Sequence, residues 1–567
     1  MMSINKYFFA LFILFATAFQ AAAAPRVPEI LTQNGLIYCT NAAGVSFNPQ
    51  TADAGTTMNV VTEQIYNKLF EIKNNSSQVS PVLAKSYRIS ADGLTITIEL
   101  RRGVAFHHTP WFTPTRDFNA DDVLFSLNRI LGGNSALPEL DLPKESYTNP
   151  QYRIFYEQAK KVRFPYFDSI RLKDKIKSIT ALSPYTVEIK LTVPDASILA
   201  HLASQYAIIF SQEYALQLNA DDNLAQLDLE PVGTGPYQVK DYLRNQHIRL
   251  IRHEDYWGKK PAIKNMIIDL STEKTGRLAK FFNNECQITA YPEVSQLGLL
   301  NFSPEQFKLD KTDGMNLAFI AFNFEKERIR DINLRQAIAQ SIDRKRIIKH
   351  IYYDTATVAN SVIPMVSWAI PNDKYLFDYG YDPATAKTVL APQNLTLKMW
   401  VVDEEQVYNP APAKMAELIK FDLAQVGVKL QVKSVTRNYL VQQLKAKTAD
   451  YDLILTGWVA GTLDPDTFLR PILSCSTKDD VTNLANWCFL PFDSMLDLAL
   501  IHTQQQKRAE DYGLAQRMIF AQLPIVPIAN MKRLLVINNR VKGVELTPFG
   551  SIAFEKLSYD NKSGDKR

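Results

Sequence analysis

Alternating apolar and polar residues mark a hairpin in the stretch LAKSYRISADGLTITIEL. The pair Asp92-Gly93 is a typical turn, and the apolar residues that alternate with polar ones after it are Leu94, Ile96, Ile98 and Leu100. Successive side chains of a strand point to opposite faces of its sheet. This period of two therefore predicts a hairpin with one buried face.

The segment NADDVLFSLNRIL changes to a helical period. Its apolar positions recur every three or four residues, at Val123, Leu124, Leu127, Ile130 and Leu131. The segment begins with asparagine and two aspartates, which suit the N-cap and the positive end of the helix dipole. The pattern predicts an amphipathic helix that starts after Asn119.

Strand and helix patterns are interleaved along the rest of the chain. LTLKMWVVD and PAKMAELIKFDLAQVGVKLQVKSV form a strand–helix–strand unit, and YDLILTGW is a further short buried strand. The chain has 567 residues and no low-complexity linker. At about 150 residues per domain, this length predicts three or four closely packed units of mixed α/β class.

The first residues have the pattern of an export signal. Lys6 is followed by a mostly apolar run at residues 7–19 and by small residues at 21–24. This pattern predicts a signal peptide at residues 1–23, cleaved after Ala23. A retained anchor is the weaker alternative, because a spanning helix needs roughly 20 apolar residues. Since no cysteine follows the run, we expect a soluble, exported protein and not a lipoprotein.

The net charge and the number of cysteines limit which partners and which covalent links the protein is expected to have. The net charge of +4 is too mild to indicate nucleic acid or an anionic membrane as partner. The four cysteines are Cys39, Cys286, Cys475 and Cys488. An even number in an exported protein indicates two disulfides, with three pairings open. A zinc site would need other spacings and nearby histidines, so we expect no metal.

The sequence offers no convincing reaction centre. The segment Gly233-Thr234-Gly235-Pro236 lacks the lysine of a phosphate loop and the third glycine of a dinucleotide site, so it is interpreted as a turn. His107 and His108 are neighbours that should point to opposite sides of a strand. His253 lies beside carboxylates but has no nucleophile near it in sequence. We therefore expect a binding protein without a cofactor rather than an enzyme.

Motifs that follow one another along the chain resemble one known family. They are LAKSYRISADGLTITIELRRGVAFH, FNADDVLFSLNRI, PVGTGPYQV, HEDYWGKKP, LRQAIAQSIDRKRII and YDPATAKTVL. Together they resemble the periplasmic substrate-binding proteins of dipeptide and oligopeptide ABC transporters, the bacterial extracellular solute-binding proteins of family 5. The stretches HTPWFTPTRDFNADDV, FPYFDS, SQYA and LSCSTKDDVTNLANWC resemble a Gram-negative subgroup associated with antimicrobial-peptide resistance and haem uptake.

The resemblance implies an α/β, two-lobed periplasmic binding protein fold of type II that closes over its ligand. Lobe I would comprise residues 24–315 and 530–567, with an extra inserted subdomain at about 63–185, and lobe II residues 316–529. It also implies the disulfides Cys39–Cys286 in lobe I and Cys475–Cys488 in lobe II. One bridge in each lobe agrees with a hinged molecule, since a bridge across the hinge would oppose closure.

The resemblance also implies how a ligand is anchored. In the dipeptide binders, the segment that matches GWVAGTLDPDTF carries an aspartate that pairs with the ligand's α-ammonium, and the matching position here is Gly461. A buried ammonium without a counter-charge is unfavourable. Either Asp464 or Asp466 replaces the missing carboxylate, or the cleft does not anchor free amino termini. The missing side chain also leaves room for a bulkier ligand.

Other candidate ligand contacts come from the same resemblance. The loop Ala54-Gly55-Thr56-Thr57 would pair through its backbone with an extended peptide. Trp458 would form an apolar wall, and Tyr408 and Asn409 lie in another segment that lines the cleft in the family.

These observations predict the solute-binding component of a peptide ABC importer. We expect a monomer that captures peptides, including cationic antimicrobial peptides, and delivers them to an inner-membrane permease. Binding of haem or another bulky ligand on the same fold is the alternative, with His107 and His108 as candidate contacts. An exported hydrolase is a third hypothesis, for which the chain lacks a recognisable nucleophile and base.

Overall fold

The structure is a computed structural model of the chain. It describes residues 35–40, 46–51, 56–72, 78–132, 163–221, 223–271, 273–370, 379–478 and 481–560. The predicted signal peptide at residues 1–23 and the predicted ligand contacts Ala54 and Gly55 lie outside these residues. Within the described part, no helix is both long enough and apolar enough to span a lipid bilayer.

The described elements alternate between strands and helices, as the sequence pattern predicts. The strands are β1 (Gly35–Cys39), β2 (Phe70–Ile72), β3 (Val79–Pro81), β4 (Ala84–Ile89), β5 (Thr95–Leu100), β6 (Ile176–Ser183), β7 (Thr186–Leu191), β8 (Tyr237–Leu243), β9 (His247–Arg252), β10 (Asn265–Asp269), β11 (Ile288–Ala290), β12 (Phe307–Asp313), β13 (Asn316–Phe322), β14 (Ala356–Val358), β15 (Thr396–Val402), β16 (Lys429–Val435), β17 (Leu453–Val459), β18 (Ile525–Asn538), β19 (Val541–Lys542) and β20 (Ser558–Tyr559). The α-helices are α1 (Thr56–Ile65), α2 (Ala120–Leu131), α3 (Pro165–Ser169), α4 (Leu172–Lys175), α5 (Ile198–Leu202), α6 (Gln212–Ala220), α7 (Lys274–Phe282), α8 (Ile332–Ser341), α9 (Arg344–Ile351), α10 (Pro383–Leu390), α11 (Pro412–Gln425), α12 (Arg437–Lys445), α13 (Asp466–Leu473), α14 (Leu490–Ile501) and α15 (Gln505–Gln522).

The local predictions are confirmed. Strands β4 and β5 form an antiparallel hairpin in which Ile96, Ile98 and Leu100 are buried, and Gly93 in its turn has a φ of 72°. Helix α2 begins with a capping box at Asn119. The unit β15–α11–β16 has two parallel strands, as expected of a βαβ crossover. Each of these features depends on residues that are close in sequence.

One twelve-stranded sheet runs through both halves of the molecule. Its main path is β16-β15-β17-β13-β18-β11-β1-β10-β9-β8, and β12 and β14 also pair with β18. The first part of β18, residues 525–529, pairs with β13, and the last part, residues 535–537, pairs with β11. Strand β18 is therefore shared by the two halves. A separate sheet, β4-β5-β7-β6, overlaps the predicted inserted subdomain at about 63–185, and β7 lies just beyond that bound.

The chain crosses between the halves where β12 leads into β13, opposite the middle of β18. The Asn316 side chain binds the backbone of Met531 there. Its Nδ2 donates to the Met531 carbonyl oxygen at 2.8 Å, and its Oδ1 accepts from the Met531 N–H at 3.0 Å. Gly314 lies at the same place, where a Cβ would collide with the Asn316 side chain and the Met531 carbonyl. The two crossings are thus adjacent and hydrogen-bonded to each other, and we call them the hinge.

Apolar side chains form separate cores in the two halves. Two cores draw on residues between 36 and 307 and between 535 and 557, and two further cores draw on residues between 315 and 529. The molecule is therefore two-lobed. The boundaries at 315/316 and 529/530 stay predictions, and we use lobe I and lobe II in that sense below.

Each lobe holds one disulfide. Cys39 is bonded to Cys286, and Cys475 to Cys488, with Cα–Cα distances of 5.9 and 4.3 Å. Of the three possible pairings, the one implied by the family resemblance is confirmed. Neither bridge crosses the hinge, so both are compatible with movement of one lobe against the other.

Candidate ligand-binding cleft

Gly461 lies at the contact between the two lobes. It follows β17 and is buried. A Cβ added to it would lie 2.9 Å from Cε2 of Tyr166 and 2.9 Å from Cε2 of Tyr206, both in lobe I. Carbon atoms in favourable contact are about 3.5–4.0 Å apart. In this structure the space left by the missing side chain is therefore occupied by Tyr166 and Tyr206.

Tyr166 and Tyr206 form one aromatic surface opposite Gly461. Their rings are stacked, with centroids 4.4 Å apart and an interplanar angle of 22°. Sequence reasoning did not identify either residue as part of the cleft. Both could have been found from the sequence, because they lie in FPYFDS and SQYA, two of the stretches that resemble the Gram-negative subgroup.

Asp464 forms a buried ion pair within lobe II. Its Oδ2 lies 2.8 Å and its Oδ1 3.0 Å from Nη2 of Arg508. Oδ1 also accepts hydrogen bonds from the Asp466 N–H at 3.1 Å and from the Tyr512 hydroxyl at 3.4 Å. Burial raises the pKa of the Asp464 carboxyl, and Arg508 opposes this rise. The acceptor capacity of Asp464 is thus largely used by its own lobe.

Asp466 is fully buried at the start of α13. Its Oδ1 and Oδ2 accept from Nε of Arg470 at 2.9 and 3.1 Å, and its Oδ2 lies 3.7 Å from Nζ of Lys175 in lobe I. Burial opposes ionisation, but Arg470 and Lys175 outweigh it and lower the pKa of Asp466. The ionised carboxylate therefore connects the two lobes.

Lys175 joins carboxylates of both lobes in what we call the interlobe ion cluster (Lys175, Asp195 and Asp466). Its Nζ lies 2.7 Å from Oδ2 of Asp195 in lobe I. Asp195 also accepts from the N–H and the hydroxyl of Ser197 at 2.8 and 2.6 Å. Burial opposes ionisation of Asp195, but Lys175 and the hydrogen bond from Ser197 lower its pKa. Lys175 of lobe I therefore lies between a carboxylate of its own lobe and one of lobe II, and its attraction to Asp466 favours contact between the lobes.

His201 lies beside this cluster without adding charge to it. It is fully buried, and burial together with Lys175 lowers its pKa to about 3. The neutral imidazole has its Nδ1 3.0 Å from the hydroxyl oxygen of Tyr166. The tyrosine opposite Gly461 is therefore positioned by a buried histidine.

Trp458 shares the segment from β17 to α13 with Gly461, Asp464 and Asp466. It is half-buried, and its Nε1 donates to the Thr467 carbonyl at 2.9 Å. These four predicted residues are therefore brought together at the lobe contact.

Tyr408 and Asn409 lie deeper in lobe II. Tyr408 is buried against the backbone at Gly457, where its ring occupies the position a Cβ would take. The Asn409 side chain is also buried, and its Oδ1 accepts from the Ala411 N–H at 3.1 Å. Tyr408 thus supports the strand that carries Trp458, and Asn409 shapes its own loop.

Thr56 and Thr57 belong to the first turn of α1, whereas the sequence predicted a loop there. The first N–H groups of a helix have no partner within the helix. These backbone groups are therefore the feature of the predicted loop that suits a polar ligand.

Two cavities flank the contact at Gly461. The first, of about 510 Å³, is bordered by Gly461 and by lobe I residues that include Gln205. The second, of about 520 Å³, lies between Ala200 of lobe I and Trp368 and Asp464 of lobe II. Both volumes are in the range of small-ligand sites, about 300–1,000 Å³.

His107 is buried and His108 is exposed, but neither lies in a strand, in contrast to the prediction. Nε2 of His107 lies 3.0 Å from the Gly235 carbonyl, and its Nδ1 accepts from the Gly233 N–H at 3.3 Å. Burial and the neighbouring His253 lower the pKa of His107 to about 3. Both ring nitrogens of His107 are used by the backbone, so it has none left for an iron atom.

Comparisons with known proteins agree with this architecture. Residues 78–480 match the family model described as bacterial extracellular solute-binding proteins, family 5 Middle. The chain is 60% identical to the peptide transport periplasmic protein SapA of Haemophilus influenzae, over 99% of each chain. It is 35% identical to heme-binding protein A of the same species, over 94% of this chain and 93% of the other.

A solved structure shares the fold over nearly the whole chain. It is a dipeptide binding protein from Pseudoalteromonas in complex with Met-Leu, with a TM-score of 0.79 and 34% identity. The similarity covers 93% of this chain and 100% of that one. The two lobes, the shared sheet and the full-length sequence matches lead to one assignment: this chain belongs to the bacterial extracellular solute-binding proteins of family 5.

Proposed function

We propose that this protein is the periplasmic solute-binding component of a Sap-type peptide ABC importer. It captures peptides, including cationic antimicrobial peptides, between its lobes and delivers them to an inner-membrane permease. The observation that carries the proposal is the pair of cavities at the lobe contact, in a fold whose lobes meet at a hinge. The 60% identity to a SapA protein supports it.

Within the described segment from Gly457 to Phe468, no free carboxylate is available to anchor the amino terminus of the cargo. Gly461 offers none, Asp464 is paired with Arg508, and Asp466 is paired with Arg470 and Lys175. Binding then depends on the N–H groups at the start of α1, on apolar contact with Trp458 and on the two cavities. Acetylation of the peptide's amino terminus should therefore change affinity by less than about threefold.

Calorimetric titration with pairs of free and acetylated peptides tests this function. Both members of a pair should bind, and mass spectrometry should recover them intact after long incubation, as expected of a transport protein without turnover. If no peptide of a broad set binds, the proposed function is wrong. A preference of more than about tenfold for the free amine would contradict the proposed anchoring.

Binding of haem or another bulky ligand is a second candidate, favoured by the 35% identity to a heme-binding protein. His107 is committed to the backbone, so the exposed His108 is the remaining contact of the pair. A Soret titration of the wild type and of His108→Ala tests it. No spectral change would exclude haem, and a change lost in His108→Ala would support it. Native mass spectrometry of freshly purified protein would identify retained cargo of either kind.

A further inference from the structure

The cavity of about 510 Å³ beside Gly461 has an acidic lining. The charged residues that border it are Glu63, Glu71, Glu545, Glu555, Lys68 and Lys556. Each lysine already has a glutamate partner. Nζ of Lys68 lies 3.5 Å from Glu63, and Nζ of Lys556 lies 2.7 Å from Glu545. The two remaining glutamates leave the lining with a net negative charge.

Glu71 and Glu555 have no ion-pair partner within the described part of the chain. They come from β2 and from the C-terminal region, so the fold brings them together across a long sequence distance. Burial raises the pKa of Glu555, and the negative charges of Glu71 and Glu63 add to this rise against Lys556. Repulsion between carboxylates of this kind is relieved when a cation lies between them.

A second, independent observation is a buried side-chain oxygen of Gln205 that lacks a hydrogen-bond donor in the part of the chain that the structure describes. Its side chain borders the same cavity and is 6% exposed. Its Oε1 is buried and has no hydrogen-bond partner among the described residues. An amide oxygen can only accept, and buried polar atoms in folded proteins are nearly always paired. A ligand that donates hydrogen bonds would satisfy it.

Aromatic rings form part of the wall of the cavity. Tyr256 and Trp257 both border it. Arg101, which is outside the lining, lies over the Trp257 ring at 4.9 Å from its centroid. Long basic side chains pack their alkyl stems along such apolar surfaces while the charged end reaches polar groups.

We propose that this cavity is a subsite for a basic side chain of the cargo, a lysine ammonium or an arginine guanidinium held by Glu71, Glu555 and Gln205. The inference rests on the proposed function, because it takes the cargo to be a peptide. Its position beside Gly461 lets a chain bound at the lobe contact extend one side chain into lobe I.

Matched peptides that differ only in lysine or the uncharged norleucine test the subsite by calorimetric titration. The wild type should prefer the lysine peptide by at least about tenfold. In the double variant E71Q/E555Q this preference should fall below about twofold, while the norleucine peptide binds as before. Glu417→Gln, an exposed glutamate paired with Lys420 on lobe II, should keep the preference. Absence of a lysine preference in the wild type, or its persistence in the double variant, overturns the inference.

A small probe separates failure of the subsite from failure of the proposed function. Butylguanidinium should raise the melting temperature of the wild type but not of E71Q/E555Q, and the uncharged butylurea should affect neither. If no peptide binds but this difference is seen, the proposed function is wrong and the cation subsite stands. If peptides bind but the wild type shows neither a lysine preference nor a response to butylguanidinium, only the subsite is wrong.

Discussion

Gly461 sets how closely the two lobes approach each other. The sequence could show that glycine replaces the family's aspartate at this position, because the neighbouring residues match the family's segment. It could not identify Tyr166 and Tyr206 as the groups that fill the space, because their contact with Gly461 joins distant parts of the chain. The consequence of the glycine is therefore steric as well as electrostatic.

Gly461→Asp separates these two effects. Because its side chain would collide with Tyr166 and Tyr206, we expect it to weaken peptide binding by about tenfold or more instead of restoring an amine anchor. Gly298→Asp is the control, since a Cβ at Gly298 meets no atom within 4 Å. Calorimetric titration with free and acetylated peptides distinguishes the steric effect from a restored amine anchor. Tighter binding of free-amine peptides alone would contradict the steric account.

His201 gives the protein a pH dependence of defined sign. Its pKa is about 3 in the folded chain and about 6.5 in the unfolded chain, so unfolding takes up a proton between these values. The free energy of unfolding should therefore fall as the pH decreases from about 6.5, by ~1.4 kcal/mol per pH unit for this group. Urea unfolding from about pH 7.5 to pH 5 should show a smaller slope for His201→Gln than for the wild type. An unchanged slope in His201→Gln would refute the assignment.

At the scale of elements, the segment from β17 to α13 is held in place by α15. Arg508 on α15 is the buried partner of Asp464, and Tyr512, one turn further, hydrogen-bonds the same carboxylate. The sequence predicted the strands and helices because they follow from local apolar periods. The sequence could not decide whether Asp464 and Asp466 contact the ligand. Their ion-pair partners, such as Arg508 and Lys175, come from distant elements that only the packed fold brings close.

Arg508→Met tests the role of this ion pair. Removal of the guanidinium leaves a buried carboxylate without a partner, which should lower the free energy of unfolding by about 3–5 kcal/mol. Lys507→Met, whose exposed pair with Glu510 lies on the same helix, should change it by less than about 1 kcal/mol. Denaturant unfolding of both variants at neutral pH provides the comparison. Equal effects would mean that Asp464 is solvated and available to a ligand.

At the scale of the whole molecule, two lobes share one sheet and meet at Gly461 and the interlobe ion cluster. The family resemblance predicted the two-lobed architecture and the disulfide pairing, since six motifs of the family follow one another in order along the chain. It did not predict the ion cluster, which depends on how Lys175 of lobe I faces Asp466 of lobe II. The contact between the lobes is thus stabilised by residues that are far apart in the sequence.

Small-angle X-ray scattering of cargo-free protein, alone and with an acetylated peptide, tests the central claim most directly. The account predicts that the radius of gyration decreases on addition of the acetylated peptide as much as with the free one, because closure over the cargo needs no amine anchor. A radius that stays constant with every peptide, or that decreases only with free amino termini, would contradict it.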